Sequence, residues 1–451
     1  MGGKEFVLKF EEVRRSVSEK IKSNKEYLPK IEFLEHICSY STPAISVASN
    51  SEKGENLHFD TLIVPALPRS LKTERGLKNL CCRFSYSNKP CSISPPTHYG
   101  ILSDIFKYEV PNEVRIYADR FCLRKLIDYS LGAPGSGSQD ILISAAISIS
   151  DDGNLISNDY INLIPINIKE GFPSVGFQFE TFLTKNEIQI GPNPSAALKL
   201  VDSCLVIDKI SIGDFKLIRR CEIDAVRRSH VFGDSVYRTE QDEHRDTLRC
   251  ENWDEVFIET PSSNMDKRLN PPAKLIISDN LKSSKIVPDH RVEIKSISCR
   301  NTHNFSWTSV YFQMLLGCTP TLIRGCHNRG FFQRGSISSY HISRVKEYSD
   351  KEPLYSQECI GDDLLKNSSL DKNTLAIAFS EAILEYICED LIKDKIPSYI
   401  YSSLGPRNHF VNVTLGKRDE ELVFCLLDNK KDTLPDISGP INNWVSHCSK
   451  S

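Results

Sequence analysis

Several features are scarce or absent in this sequence, and each absence closes off a class of protein. Among 451 residues no apolar run approaches the ~18 residues that a membrane-spanning helix needs. The N-terminus, MGGKEFVLKFEEVRRS, lacks the apolar core of a secretory signal, and Phe6 stands where a myristoylation signal carries Ser or Thr. Positive charge is not in excess: 56 Lys and Arg face 59 Asp and Glu, a net charge of -3. No overall basic field therefore drives binding to long duplexes, and any affinity for nucleic acid must be local. The fifteen cysteines contain no CxxC, and their odd number and scatter argue against a zinc ribbon or a secreted disulfide framework. They read as reduced thiols of an intracellular protein, nuclear or cytoplasmic. Cys326 and His327 are adjacent but lack a matching second pair, so HNR reads as a turn rather than a zinc site. The glycine-rich GAPGSGSQ has no GK[ST] ending and reads as a turn rather than a phosphate cradle. With 40% hydrophobic and 25% charged residues, the chain has the composition of an ordinary globular protein.

What is present is an arrangement of acids. Side chains alternate along a strand, so in KLIRRCEIDAV Glu222 and Asp224 share one face while Cys221, Ile223 and Ala225 take the other. In HRVEIKSIS, Glu293 and Lys295 share a face in the same way. Two such strands side by side gather three carboxylates and one ammonium. That set suits a hard divalent cation and a phosphate, because magnesium prefers oxygen ligands. Either triplet alone is the pattern of a solvated strand face; both together point to a nuclease-like pocket.

The other elements follow in order. Residues 1–28 read as a charged arm with helical character, residues 29–446 as the main domain and residues 447–451 as a tail. IEFLEHICSYSTPAISV alternates as an early strand. ADRFCLRKLIDYSL has helical spacing with Asp119 as N-cap and Arg124 at the edge of its apolar face, a planar fork suited to phosphate oxygens if it is not a surface ion pair. DILISAAISIS and INLIPINI read as a hairpin in the central sheet. SVGFQFETFLTKN places Glu180 beside Phe179 and Phe182, where a helix against the sheet would deliver a fourth carboxylate. A polar passage from about 227 to 289 reads as a surface insertion. Near its end, Asp279 in KLIISDN stands at a spacing before Glu293 that suits a PD-(D/E)xK arrangement, so Asp224 and Asp279 compete for the metal. THNFSWTSVYFQMLLG is a core helix with Gln313 off its apolar stripe. TPTLIRGC and GFFQRGSISSY form a hairpin, NTLAIAFSEAILEYICEDLIKD a helix, and HFVNVTLG with ELVFCLLDN a closing hairpin. The sum is a single large α/β (α+β) domain with a central mixed sheet flanked by helices.

The order of short motifs, FCLRKLI with Arg124, GFQFE ending at Glu180, EID from Glu222 to Asp224, EIK from Glu293 to Lys295, and WTSVYFQ with Gln313 running into TPTLIRGCHNRGFF, resembles the DXO decapping exoribonuclease family. That family includes the yeast proteins that assist the nuclear 5′-to-3′ exoribonuclease. The resemblance spans Phe121 to Leu391 and implies a PD-(D/E)xK-like active-site core and a divalent-metal hydrolase of RNA 5′ ends. Its substrates would be triphosphate, incompletely methylated or NAD-type caps, with exonuclease activity in some members. It implies that Glu180, Glu222, Asp224, Glu293 and the Ile294 carbonyl hold two magnesium or manganese ions. Lys295 and Gln313 would position water and phosphate, and Arg124 would grip the RNA; a 5′-to-3′ exoribonuclease is an implied partner. It favours Asp224 over Asp279.

Two other classes remain open on the residues. One is a catalytically weak relative that shields RNA ends or stabilises a partner. The other is a restriction-like DNA nuclease built on Asp279, Glu293 and Lys295.

Overall fold

An alternating or continuously apolar stretch becomes a strand where its apolar face can be covered, and here such stretches build two mixed sheets. The structure, a computed structural model, describes residues 4–43, 57–59, 62–67, 74–83, 116–132, 141–150, 155–165, 175–184, 188–190, 201–227, 275–277, 286–353, 357–404 and 408–427. The larger sheet has nine strands, in spatial order Glu5–Lys9, Glu421–Leu426, Asn408–Arg418, Ile141–Ile149, Leu155–Pro165, Ile116–Asp119, Phe215–Glu222, Val201–Ile212 and Ile31–Pro43. Ile116–Asp119 runs parallel to both of its neighbours, and the other pairings are antiparallel. The expected hairpin of Ile141–Ile149 with Leu155–Pro165 lies at its centre. Successive residues Ile141, Leu142 and Ile143 are fully buried, as a strand covered on both faces requires. Helices Arg120–Ser130 and Lys372–Glu385 share the larger core with this sheet, and the latter is buried nearly all round.

The second sheet has five strands in the order Ile337–His341, Thr321–His327, Arg291–Ser298, Ala225–Arg227 and Ala66–Leu67. Helix Val175–Leu183 packs Phe179, Phe182 and Leu183 against its Val292, Ile294 and Ile323. Phe179 stacks on Phe332 with ring centroids 4.3 Å apart. Gly325 lies beneath the pair, where a Cβ would come within 2.5 Å of the Phe332 ring, so only glycine lets the rings settle onto the strand. In the Thr321–His327 hairpin, His327 Nδ1 accepts from Gly330 N at 3.1 Å, a turn contact.

The structure differs from the sequence reading in three places. Residues 5–23, read as part of a charged arm, are built into the domain. Glu5–Lys9 pairs with Glu421–Leu426, and Phe10 and Val17 of helix Phe10–Ser23 are fully buried. Tyr27 then donates to Glu381 of the core helix at 2.5 Å. The alternation is short and the charges between are dense, so the strand declares itself only through its partner. Second, KLIRRCEIDAV is not one strand. It breaks at Ile223 and Asp224, with Phe215–Glu222 in the large sheet and Ala225–Arg227 in the small one. Third, beside the expected large mixed sheet there is this second sheet. Of the 227–289 passage, Leu275–Ile277 pairs in parallel with Leu57–Phe59. Asp279, residues 133–139 of GAPGSGSQ, and the 447–451 tail lie outside the described residues. Among the described residues no helix is long and apolar enough to cross a membrane.

The two sheets are joined by a buried ion cluster. Asp208, Arg219 and Arg291 are all fully buried. Asp208, on Val201–Ile212, accepts from Arg219 of the neighbouring strand and from Arg291, the first residue of the Arg291–Ser298 strand, at 2.5 and 3.0 Å. His36 Nδ1 lies 2.7 Å from the same carboxylate, and Arg291 also donates to the Ile286 and Gly317 carbonyls. Burial alone would raise the Asp208 pKa, but the two guanidiniums outweigh it and the net shift is downward. Arg291 stands two residues before Glu293, so the cluster fixes the strand that carries Glu293 and Lys295.

Candidate active site

Ala225–Arg227 pairs antiparallel with Arg291–Ser298, Ala225 opposite Val292, which brings Asp224 to the level of Glu293. Asp224 Oδ2 accepts from Ile294 N at 2.8 Å. Lys295 Nζ lies 2.6 Å from Glu293 Oε1 and 3.8 Å from Asp224 Oδ2. Gln313 Nε2 donates to Glu293 Oε1 at 2.5 Å, and Arg120 Nη1 donates to Glu293 Oε2 at 3.0 Å. Both oxygens of this buried carboxylate are therefore taken by three donors from three elements.

Each donor is held by its own local logic. Asp119 caps helix Arg120–Ser130, its Oδ1 accepting from Phe121 N at 2.8 Å. Its Oδ2 accepts from Arg220 at 2.6 and 3.0 Å, so one carboxylate starts the helix and ties it to the strand that ends at Glu222. Arg120 is the next residue. Gln313 rides on helix Trp307–Gly317, whose first N–H groups at Trp307 and Thr308 are met by the Glu352 carboxylate at 2.6 and 2.8 Å.

The electrostatics record crowded negative charge. Burial, then the Asp224 charge, push the Glu180 pKa well up, with Glu222 and Glu293 adding to it. Burial, then Glu293, push Asp224 up to about 7. Burial also acts upward on Glu293, but Lys295 and Arg120 outweigh it and hold that group down. For Lys295 burial pulls downward, yet Glu293, Asp224 and Glu180 bring the net shift upward. Arg120 behaves likewise, with Cys221, Glu293, Asp224 and Glu222 overcoming burial. The two close acids are thus driven apart, Asp224 upward and Glu293 downward.

Asp224, Glu293, Lys295 and Gln313 of the sequence-chosen set interlock directly. Glu180, from helix Val175–Leu183, and Glu222, exposed at its strand end, join through their charges. Ile294 shows its N–H to Asp224. Arg124 stands one turn beyond Arg120, with its Nε 3.6 Å from Asp128 Oδ2. The arginine that reaches the acids is Arg120, which sequence reasoning missed. The signal was there: residues four apart share a helix face, so capping at Asp119 makes Arg120 and Arg124 equal candidates.

Among the described residues no three of Asp, Glu, His or Cys converge as they stand to enclose an ion. The donor chemistry nevertheless fits a hard cation. The cluster is all carboxylate oxygen, and the raised pKa values of Glu180 and Asp224 mark negative charge that a divalent ion would neutralise. A test needs no activity. An acid whose pKa rises on folding contributes stability below its unfolded value of about 4, lost as pH rises through the folded value. In EDTA the protein is expected to melt higher at pH 5 than at pH 8, and Asp224→Asn should flatten that difference in a thermal scan. An unchanged slope in the variant would remove Asp224 as its source.

No protein-family model and no curated protein matches the chain. Its structure matches solved structures of Rai1 and Dxo1 proteins from several organisms. S. pombe Rai1 is 12% identical, with 94% of this chain and 100% of that chain covered and a TM-score of 0.43. Scheffersomyces stipitis Rai1, in complex with (3'-NADP)+ and calcium ion, is 11% identical over 99% of each chain, TM-score 0.43. K. lactis Dxo1, in complex with manganese, is 12% identical over 90% of this chain and 93% of that chain, TM-score 0.41.

Proposed function

We propose that this chain is a divalent-metal-dependent hydrolase acting on the 5′ ends of RNA. The observation that carries the reading is the interlock on adjacent strands: Asp224 and Glu293 face each other, and one ammonium, Lys295, reaches both. Acid, acid and lysine on paired strands support the PD-(D/E)xK-like core that the family resemblance implies. Glu180, Glu222, Asp224 and Glu293 would hold magnesium or manganese, and two ions suit four acids. Bound there, the metal supplies Lewis-acid polarisation of a phosphoryl oxygen and activation of water near neutral pH.

The protein's own groups do the rest. Lys295 sits where its charge offsets negative charge growing on the phosphoryl oxygens. Lys295 and Arg120 together hold the Glu293 pKa down, and Arg120 fixes its second oxygen in place. Gln313, anchored on Glu293, presents an amide that can orient water or a phosphate oxygen. Arg124, more exposed and one turn away, would meet the RNA farther from the cut. Triphosphate, incompletely methylated and NAD-type ends all place their first phosphates at one point, so one site serves them. A 5′-to-3′ exoribonuclease is the proposed partner.

The test is purified protein with manganese or magnesium and internally labelled RNAs carrying monophosphate, triphosphate, unmethylated-cap or NAD ends. The expected result is release of a 5′ nucleotide species, abolished by EDTA. Failure of the folded protein to cut any of these ends would leave an RNA-end-binding or partner-stabilising protein.

A further inference from the structure

We infer that Arg324 is a second phosphate-binding group of this site, holding a backbone phosphate of the bound RNA beside the one that Lys295 faces. This rests on the RNA-hydrolase reading above. Thr321–His327 runs parallel to Arg291–Ser298 with Arg324 in register with Lys295. Residues level with each other on parallel strands project to the same face, and neighbouring strands lie about 4.8 Å apart. The guanidinium is thus on the lysine's side of the sheet, one strand over.

Two aromatic rings set its pose. Arg324 lies over Phe305, 4.5 Å from the ring centroid, and over Trp307 at 5.2 Å. Those rings meet edge to face at 4.8 Å, forming a corner that holds the planar group by its flat face. Stacking of that kind leaves the rim of N–H donors available in the plane, which is the geometry that grips phosphate oxygens.

Among the described residues its buried donor lacks an acceptor. Arg324 Nε is buried without a hydrogen-bond partner, and among the described residues this side chain forms no ion pair. Arg120, Arg219, Arg220 and Arg291 all meet a carboxylate. A cation used only for packing would be expected to have found one too, since an unpaired buried donor costs free energy. A partly exposed arginine on an aromatic corner, next to the site lysine, is instead suited to single-stranded nucleic acid, which pairs backbone cations with aromatic surface.

The experiment is steady-state cleavage of a 5′-phosphorylated uridine pentamer with manganese, across a salt series, for the wild type, Arg324→Gln and Arg324→Lys. Arg324→Gln should raise KM about tenfold, with the loss falling mainly on KM. It should also flatten the slope of log kcat/KM against log salt by about 0.7, the contribution of one phosphate contact to a single strand. Arg324→Lys should recover most of both. Should Arg324→Gln melt far below the wild type, Arg324→Met, which fills the same slot over the rings, replaces it as the neutral variant. Cleavage by a neutral variant with unchanged KM and salt slope would overturn the assignment and leave the hydrolase reading standing. Absence of cleavage by the folded wild type would overturn that reading and this one with it.

Discussion

Asp224→Ala is expected to lower kcat by on the order of 10³-fold on whichever RNA end the wild type prefers, while the fold persists. Asp224 is the acid opposite Glu293, within reach of Lys295, and its backbone partner is Ile294. Removing it takes an oxygen donor from the centre of the cluster and leaves Lys295 paired with Glu293 alone. The same change relieves carboxylate crowding, because Asp224 is one of the charges that push Glu180 upward. Lost activity therefore comes with a melting temperature at pH 8 equal to or above the wild type's, which separates chemistry from misfolding. Asp279→Ala, tested alongside, should keep activity within about twofold of wild type. The reverse pattern, with Asp279 essential and Asp224 dispensable, would favour the restriction-like DNA nuclease. Equal RNA binding with no cleavage by either the wild type or the variants would favour the end-shielding protein.

Asp208→Ala should cost about 3–5 kcal/mol of stability, because it strands two guanidiniums that have no access to water. Arg219 and Arg291 both depend on this carboxylate, and His36 loses its partner with them. Chemical denaturation followed by tryptophan fluorescence measures the loss as a shift in midpoint. A shift below about 1 kcal/mol would mean that water enters and solvates the arginines. The pH sign is opposite to that of Asp224. Asp208 has a lowered pKa, so its contribution is fully present above the unfolded value of about 4 and is lost only as pH falls towards the folded value. Between pH 5 and 8 the destabilisation should be constant. The consequence for activity is indirect but large, since Arg291 anchors the strand that presents Glu293 and Lys295.

Periodicity alone found most of the elements. The Ile-rich hairpin at the centre of the large sheet, the capped helix after Asp119, the stripe of Trp307–Gly317, the core helix from Lys372 and the closing hairpin all announce themselves through local spacing and caps. Glu293 and Lys295 were legible as a pair because two residues on one strand face meet whatever the rest of the chain does. Arg120 was not chosen, because a helix face offers two arginines one turn apart and only the docking of that helix decides between them.

The sequence by itself thus determined the composition of the candidate site: four carboxylates, a lysine and a glutamine, chosen from strand faces, helix spacing and motif order. Only the tertiary structure decided how they meet. The break at Ile223 and Asp224 hands the chain from one sheet to the other, and no local pattern signals it, because Leu217 to Cys221 are buried without alternation and the second strand is only Ala225–Arg227. The burial of Asp208 with Arg219 and Arg291, and the placing of Arg324 beside Lys295, depend on strands far apart in sequence. Local patterns fix which face of an element is apolar; the charges that face one another across elements are fixed by strand order and register, and these belong to the fold as a whole.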